Sequence, residues 1–286
     1  MSFIDAVRAT PLLQYALLAG GLAGICCACL SPLVVLKRMA FIGDGMAHAS
    51  FGGIGLAIFL IQGARFDSLS VQLVTLAFSL LLGALIGRVT HRASPDEKLG
   101  EDSAIGIAFS ASMALGALLI ALKQQSAHTY VPNMDTFLFG NLMSIGKLDV
   151  LLLCGVLAAV LGMLVLLNKE LVFYAFDAKL AEISGVRAGL LHYLFMMLLV
   201  LAVTATARVV GIVLVSASLV IPGVIALKIC QRLTPAMLLA SAIGFFSFQA
   251  GLFVSYEWNV PPGSAIVLIQ FALLLLPVVF KKMTNV

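Results

Sequence analysis

The chain has 286 residues, of which 62% are hydrophobic and only 10% are charged, and its mean hydropathy is +1.13. These values lie far outside the range of a soluble globular domain and predict a protein with several membrane spans. The formal net charge of +4 does not indicate nucleic-acid binding, because the basic residues are distributed as expected for a protein oriented in a lipid bilayer.

The long apolar runs predict an all-α fold, a polytopic transmembrane helical bundle that forms a single domain over residues 1–286. A barrel is disfavoured because the runs are unbroken and not alternating. Nine spans are predicted, at 12–36, 40–60, 69–87, 104–122, 148–167, 189–207, 209–227, 236–254 and 265–280. The count becomes eight if the two runs that meet at Arg208 form one span and a bent half-helix.

Charge at the ends of these runs predicts their orientation. The first run has only Arg8 before it and no small-residue cleavage pattern, so we expect a retained span and not a signal peptide. Most basic residues fall in alternate connections or the C-terminal tail: Lys37, Arg38, Arg88, Arg92, Lys98, Lys169, Lys179, Arg187, Lys228, Arg232, Lys281 and Lys282. With nine spans, this bias places the C-terminus in the cytoplasm and the N-terminus outside.

Asp44 and His48 are ionisable residues inside the second predicted span. Their spacing of four residues puts both side chains on one face of a helix. An ionisable group in a span costs roughly 2.5 to 3.5 kcal/mol on insertion scales, so two on one face need a compensating role. A carboxylate and an imidazole suit a divalent transition metal. We therefore predict that Asp44 and His48 contact a metal ion near the middle of the bilayer.

Two questions about this pair stay open in the sequence. The pair can instead be structural, with Asp44 in a local hydrogen bond and His48 in a helix contact. A metal ion needs four or more ligands, and one Asp with one His supplies two or three atoms. Because His192 and Asp149 lie only at span ends, the missing ligands come either from a two-fold homodimer or from backbone carbonyls and water. Glycines 43, 45, 52, 53 and 55 would let this helix break or let a neighbour approach closely.

The longest cytoplasmic connection, Asn168 to Arg187, is predicted to contain a short amphipathic helix from Asp177 to Gly185. Such a helix either lies at the lipid headgroups or docks on a cytoplasmic partner. On the opposite side, the polar connection from Lys123 to Asp135 is suited to a ligand or a binding protein, although most loops of this kind only join helices.

Other patterns are given structural interpretations. Cys26, Cys27 and Cys29 point around a helix and are expected to pack, and five cysteines do not indicate a disulfide framework. Gly20 and Gly24, like Gly83 and Gly87, have the spacing of close helix packing. The Gly140 to Lys147 segment lacks the spacing of a phosphate loop, so ATP chemistry would require a separate subunit.

Five segments together are similar to the permease subunit of the bacterial ABC-3 family of metal-ion transporters. They are Leu36 to Ser50, Glu101 to Ser110, Phe176 to Val186, Val210 to Ser216 with Ile221-Pro222, and Pro262-Gly263. They occur in the family's order over nearly the whole chain.

The resemblance implies a multi-pass permease homodimer in the bacterial plasma (inner) membrane, two cytoplasmic ATPase subunits and an external solute-binding protein. It assigns metal contact to Asp44 and His48. It assigns docking on the ATPase to the helix that contains Asp177, Leu180, Ala181, Glu182 and Gly185. The chain would then be a transport subunit and not itself an enzyme, with a transported divalent metal and no permanent cofactor.

The segment Ala47-His48-Ala49-Ser50 resembles the zinc-type members of this family slightly more than the others, so zinc is placed ahead of manganese and iron as the transported ion. An alternative is a secondary metal/proton antiporter that works without an ATPase. Such a carrier is expected to hold ligand pairs on two or more helices of one chain, whereas this sequence shows one pair. A membrane scaffold without transport would leave the buried carboxylate unexplained.

Overall fold

The computed structural model describes residues 3–61, 68–92, 101–126, 145–176 and 187–284, together with Gly140 and Gly185. Within these residues the regular structure is helical, without strands, as the unbroken apolar runs predict. The twelve helices in these ranges are α1 (Phe3–Ala9), α2 (Pro11–Leu36), α3 (Ala40–Leu60), α4 (Leu69–Arg92), α5 (Glu101–Ser126), α6 (Lys147–Leu166), α7 (Asn168–Phe176), α8 (Ala188–Val210), α9 (Ile212–Ser218), α10 (Ile221–Ile229), α11 (Leu233–Trp258) and α12 (Pro262–Thr284).

Seven described segments are long and apolar enough to cross a membrane, which is fewer than the eight or nine spans predicted from the sequence. They are α2, α4, α5, α6, α8, α11 and the combined run Ile212–Ile229. Two predicted spans account for the difference. In α3, Asp44, His48 and several glycines dilute the apolar composition. In α12, side chains are described only over Pro262–Leu275, although the helix itself extends to Thr284, which is the length of a span.

The two runs predicted to meet at Arg208 are one long helix and one broken helix. Helix α8 continues past Arg208 to Val210, and the chain then turns at Gly211, which has a φ of 88°. Glycine adopts this left-handed conformation without the steric cost that other residues incur. Helix α9 follows, and a second interruption precedes α10. Both runs are long and apolar enough to cross a membrane, and the chain bends between them at Gly211 and not at Arg208.

Small residues on α2 let α11 approach closely at the centre of the bundle. A methyl group on Gly24 would lie 2.8 Å from Phe248 Cδ2 and 3.0 Å from the Gly244 carbonyl oxygen. Gly20 contacts the same face of α11, and Gly83 and Gly87 meet Val200 and Tyr193 of α8. Both glycine pairs thus have the packing role that their spacing predicts.

The three cysteines of α2 lie in this buried core. Cys27 Sγ donates to Thr206 Oγ1 at 3.4 Å, which ties α2 to α8, and Cys29 Sγ donates to the Cys26 carbonyl oxygen at 3.1 Å. All three side chains are buried. They act as small apolar packing residues with weak local hydrogen bonds.

A three-residue corner joins α2 to α3. Lys37, Arg38 and Met39 each donate their backbone N–H to a carbonyl near the end of α2, at 2.9–3.1 Å. Arg38 has a φ of 58°, in the left-handed region that residues other than glycine seldom adopt. Met39 is buried. The corner is therefore hydrogen-bonded and packed.

Beside this corner, Lys37, Tyr174 and His192 form a cluster that connects α2, α7 and α8. Lys37 Nζ lies 3.6 Å from the centroid of the Tyr174 ring, and Tyr174 Oη is hydrogen-bonded to His192 Nδ1 at 2.8 Å. Tyr174 and His192 are both buried. Helix α7, which the sequence did not predict, is thus fixed against the end of α2.

Candidate metal centre

Asp44 and His48 lie one turn apart on α3, on a face that the isolated chain leaves open. His48 Nε2 is 3.7 Å from Asp44 Oδ1. The Asp44 side chain is 52% exposed and the His48 side chain 21% exposed. The structure therefore brings the two residues together as their spacing predicts, and both retain access for a ligand.

The distance between the two side chains suits two ligands of one metal ion. Imidazole nitrogen and carboxylate oxygen bind zinc at about 2.0–2.2 Å, so two such atoms around a tetrahedral ion lie about 3.4 Å apart. The observed 3.7 Å is close to this value and is too long for a direct hydrogen bond. An ion placed between Nε2 and Oδ1 would contact both atoms after a small adjustment.

Close packing on the other sides of α3 explains why this face is the open one. Gly43 lies against Leu219, Gly45 and Gly52 lie against α5, and Gly53 lies against Thr75 of α4. Of the two roles predicted for the α3 glycines, the structure shows close approach by neighbours. Helix α3 continues without a break over Ala40–Leu60.

Helix α5 holds His48 from one side. The His48 and Phe109 rings meet edge to face, with 5.0 Å between centroids. One residue further along α3, the Ala49 carbonyl oxygen accepts a hydrogen bond from Ser112 Oγ at 2.7 Å. These contacts restrict the imidazole and fix the register of α3 against α5.

Ser216 of α9 is a site residue that sequence reasoning did not identify. Its hydroxyl donates to Asp44 Oδ1 at 3.0 Å, and its Oγ also lies 3.1 Å from the Ile212 carbonyl oxygen. The available signal was a hydroxyl five residues after Gly211 within an apolar run. That signal is weak, because serine commonly bonds to its own helix.

The two other ionisable residues noted at span ends do not join this site. His192 is hydrogen-bonded to Tyr174, and Asp149 lies at the start of α6. In the part of the chain that the structure describes, no three His, Cys, Asp or Glu side chains are grouped so that they could hold a metal ion. The described residues thus bring two side chains of these types, Asp44 and His48, to the candidate centre.

Asp149 belongs to a separate polar cluster. Its Oδ1 accepts a hydrogen bond from Gln72 Nε2 at 2.8 Å, and its Oδ2 accepts one from the Gly146 backbone N–H at 3.0 Å. Arg208 Nη2 lies 3.8 Å from Oδ1. The cluster joins α4, α6 and α8, and it neutralises a carboxylate that is mostly enclosed by helices.

The residues predicted to dock on an ATPase are only partly described. Asp177, Leu180, Ala181 and Glu182 lie outside the described residues. Gly185 is exposed and has a φ of 82°, which suits the predicted helix C-terminus. Most of the polar connection between α5 and α6 also lies outside the described ranges.

The fold and the site together define a multi-pass helical membrane protein with a carboxylate–imidazole pair on an open helix face. Residues 9–281 match the ABC 3 transport family, and the chain belongs to this family. It is accordingly a transport permease of the bacterial plasma membrane. The comparison confirms the resemblance on which the family was predicted.

Three relatives cover nearly the whole chain. A manganese transport system membrane protein, MntC of Halalkalibacterium halodurans, is 32% identical over 284 residues, which are 99% of this chain and 92% of that protein. The chelated iron transport system membrane protein YfeD of Yersinia pestis is 30% identical, covering 94% of this chain and 85% of YfeD. The solved structure of PsaBC from Streptococcus pneumoniae in complex with Fab superposes with a TM-score of 0.79 at 31% identity, covering 96% and 93% of the two chains.

Proposed function

We propose that this chain is the permease subunit of an ATP-binding-cassette importer for a divalent transition metal, with manganese placed ahead of iron and zinc. The observation that carries the proposal is the Asp44/His48 pair, 3.7 Å apart on an open face of α3, in a permease of this family. The relatives described above are named for manganese and iron, so the earlier preference for zinc has no support from their names.

Exposure of Asp44 supports a homodimer. Phe41, about one turn earlier on α3, is 68% exposed, so a large apolar side chain lies beside the exposed carboxylate. A charged group facing lipid costs several kcal/mol, which favours covering this face with protein. A second copy placed across a two-fold axis would cover both faces and supply four metal ligands, two from each Asp44/His48 pair.

The energy for transport is proposed to come from partner subunits. No phosphate-binding loop was recognised in the sequence, so a cytoplasmic ATPase would hydrolyse ATP and dock on the segment 177–185. An external solute-binding protein would deliver the ion. Reversal of access would follow from movement of the two permeases relative to each other.

Uptake of radioactive manganese into proteoliposomes tests this function. The complete system contains the permease, its ATPase and its binding protein, and we expect uptake that requires ATP. Asp44→Ala and His48→Ala should each abolish uptake while the complex still assembles. Asp5→Ala, which removes an exposed carboxylate from α1, is the control and should transport normally.

Two results would reject the proposal. Exchange of manganese for protons by the permease alone, without ATP, would identify the antiporter. Normal uptake by both the Asp44 and the His48 variants would remove the metal site from α3.

A further inference from the structure

We propose that Ser216 is a positioning residue for binding of the transported metal. Its hydroxyl donates a hydrogen bond to Asp44 Oδ1 and so orients this carboxylate oxygen for a metal ion that His48 also binds. The inference rests on the proposed metal site and adds to it a residue 172 positions away in the sequence. Its basis is the contact between α3 and α9.

The Ser216 hydroxyl has one hydrogen and two acceptors within reach. Asp44 Oδ1 lies at 3.0 Å and the Ile212 carbonyl oxygen at 3.1 Å. A carboxylate is the stronger acceptor because hydrogen bonds to charged groups are stronger than those to neutral ones. The hydroxyl therefore favours Asp44, and the Ile212 carbonyl remains an acceptor if the carboxylate moves.

The same oxygen of Asp44 faces His48. Oδ1 is 3.0 Å from Ser216 Oγ and 3.7 Å from His48 Nε2, so the same oxygen is close to both the donor and the other proposed metal ligand. A hydrogen bond from Ser216 fixes the rotation of the carboxylate. It thereby keeps Oδ1 beside Nε2 before an ion arrives, which reduces the reorganisation that binding requires.

The position of Ser216 is itself fixed by contacts on either side of it. Helix α9 begins at the Gly211 turn. Beyond its other end, Leu219 packs against Gly43, the residue next to Asp44. Ser218 Oγ accepts a hydrogen bond from Gln270 Nε2 of α12 at 3.1 Å. Ser216 thus sits on a short helix whose register against α3 is determined by packing.

The test measures manganese binding to the detergent-purified permease assembled with its ATPase. The electron paramagnetic resonance signal of the free ion reports how much manganese remains unbound. Loss of a hydrogen-bond partner of a metal ligand typically weakens metal affinity by 10- to 100-fold. We expect Ser216→Ala to raise the dissociation constant by about this factor. Ser241→Ala is the matched control, because Ser241 donates only to the Met237 carbonyl of its own helix at 2.8 Å.

A second pair of variants covers the case in which the alanine variant does not fold. Ser216→Thr and Ser216→Val have nearly the same shape and differ by a hydroxyl in place of a methyl group. We expect the threonine variant to bind manganese close to the wild-type affinity and the valine variant to bind about 10-fold more weakly or worse. Equal affinities for the two would overturn the proposal.

Asp44→Ala in the same titration separates the two proposals. Unchanged affinity in this variant, or no binding by the wild-type complex, would refute the metal site itself. Loss of binding in Asp44→Ala together with wild-type affinity in Ser216→Ala would refute only the role of Ser216.

Discussion

Leu219 occupies the space that a side chain on Gly43 would need, since a methyl group on Gly43 would lie 2.6 Å from Leu219 Cδ1. Leu219 is fully buried and has little room to move. We predict that Gly43→Ala lowers the free energy of unfolding by about 1–3 kcal/mol, the usual effect of overpacking. It should also weaken manganese binding, because displacement of Leu219 carries α9 and Ser216 away from Asp44.

Unfolding of the permease in detergent micelles with increasing SDS measures the loss of stability. The manganese titration described above measures the loss of binding. Gly155→Ala on α6 is the control, because no heavy atom lies within 4 Å of the added methyl group. This variant should be unchanged or more stable by about 0.5–1 kcal/mol. Equal stability of the two alanine variants would show that the Gly43 contact is unimportant.

Ser112→Ala is predicted to loosen α5 from α3. It removes the hydrogen bond from Ser112 Oγ to the Ala49 carbonyl oxygen, next to His48. Hydrogen bonds between membrane helices average about 0.6 kcal/mol, so we expect a loss of roughly that size. Ser110→Ala on the exposed side of the same helix is the comparison, and a similar loss in both variants would contradict the prediction.

Asp149→Ala is predicted to be strongly destabilising. It removes the carboxylate that lies 3.8 Å from Arg208 and that accepts hydrogen bonds from Gln72 and Gly146. Breaking a buried ion pair by removing one partner costs about 3–5 kcal/mol. The thermal unfolding midpoint of the purified permease should fall clearly, whereas Glu257→Ala, which removes an exposed carboxylate near the end of α11, should leave it unchanged. A midpoint equal to that of the wild type would mean that the cluster contributes little.

Tyr174→Phe and Tyr174→Leu separate the two contacts of that side chain. Phenylalanine keeps the ring under Lys37 and loses the hydrogen bond to His192, which we expect to cost about 1 kcal/mol. Leucine loses the ring as well and should cost about 0.5–2 kcal/mol more. SDS unfolding measures both. If phenylalanine and leucine cost the same, the contact with Lys37 adds nothing to stability.

Much of the fold follows from the sequence because a lipid bilayer admits few structures. An apolar run must be about 20 residues long and helical, and the predicted run 12–36 coincides with α2 at Pro11–Leu36. Helix α1 and helix α7 were missed because each is shorter than a span. Their positions depend on tertiary contacts such as Phe3 against Phe253.

The site could be predicted in part for a similar reason. Asp44 and His48 are neighbours through the helical repeat alone, whereas Ser216 reaches Asp44 across 172 residues of sequence. No local pattern encodes that contact. It depends on the turn at Gly211 and on the fit of Leu219 against Gly43, which only the folded chain reveals.

The corner at Lys37, Arg38 and Met39 limits how α3, which carries Asp44 and His48, can move. Its backbone donors are all engaged and Arg38 is already in a costly conformation, so α3 cannot roll about its own axis without dismantling the end of α2. Under the proposed function, presenting Asp44 first to one side of the membrane and then to the other therefore requires whole blocks of helices to tilt as rigid bodies. Isolated rotation of one helix would not achieve it.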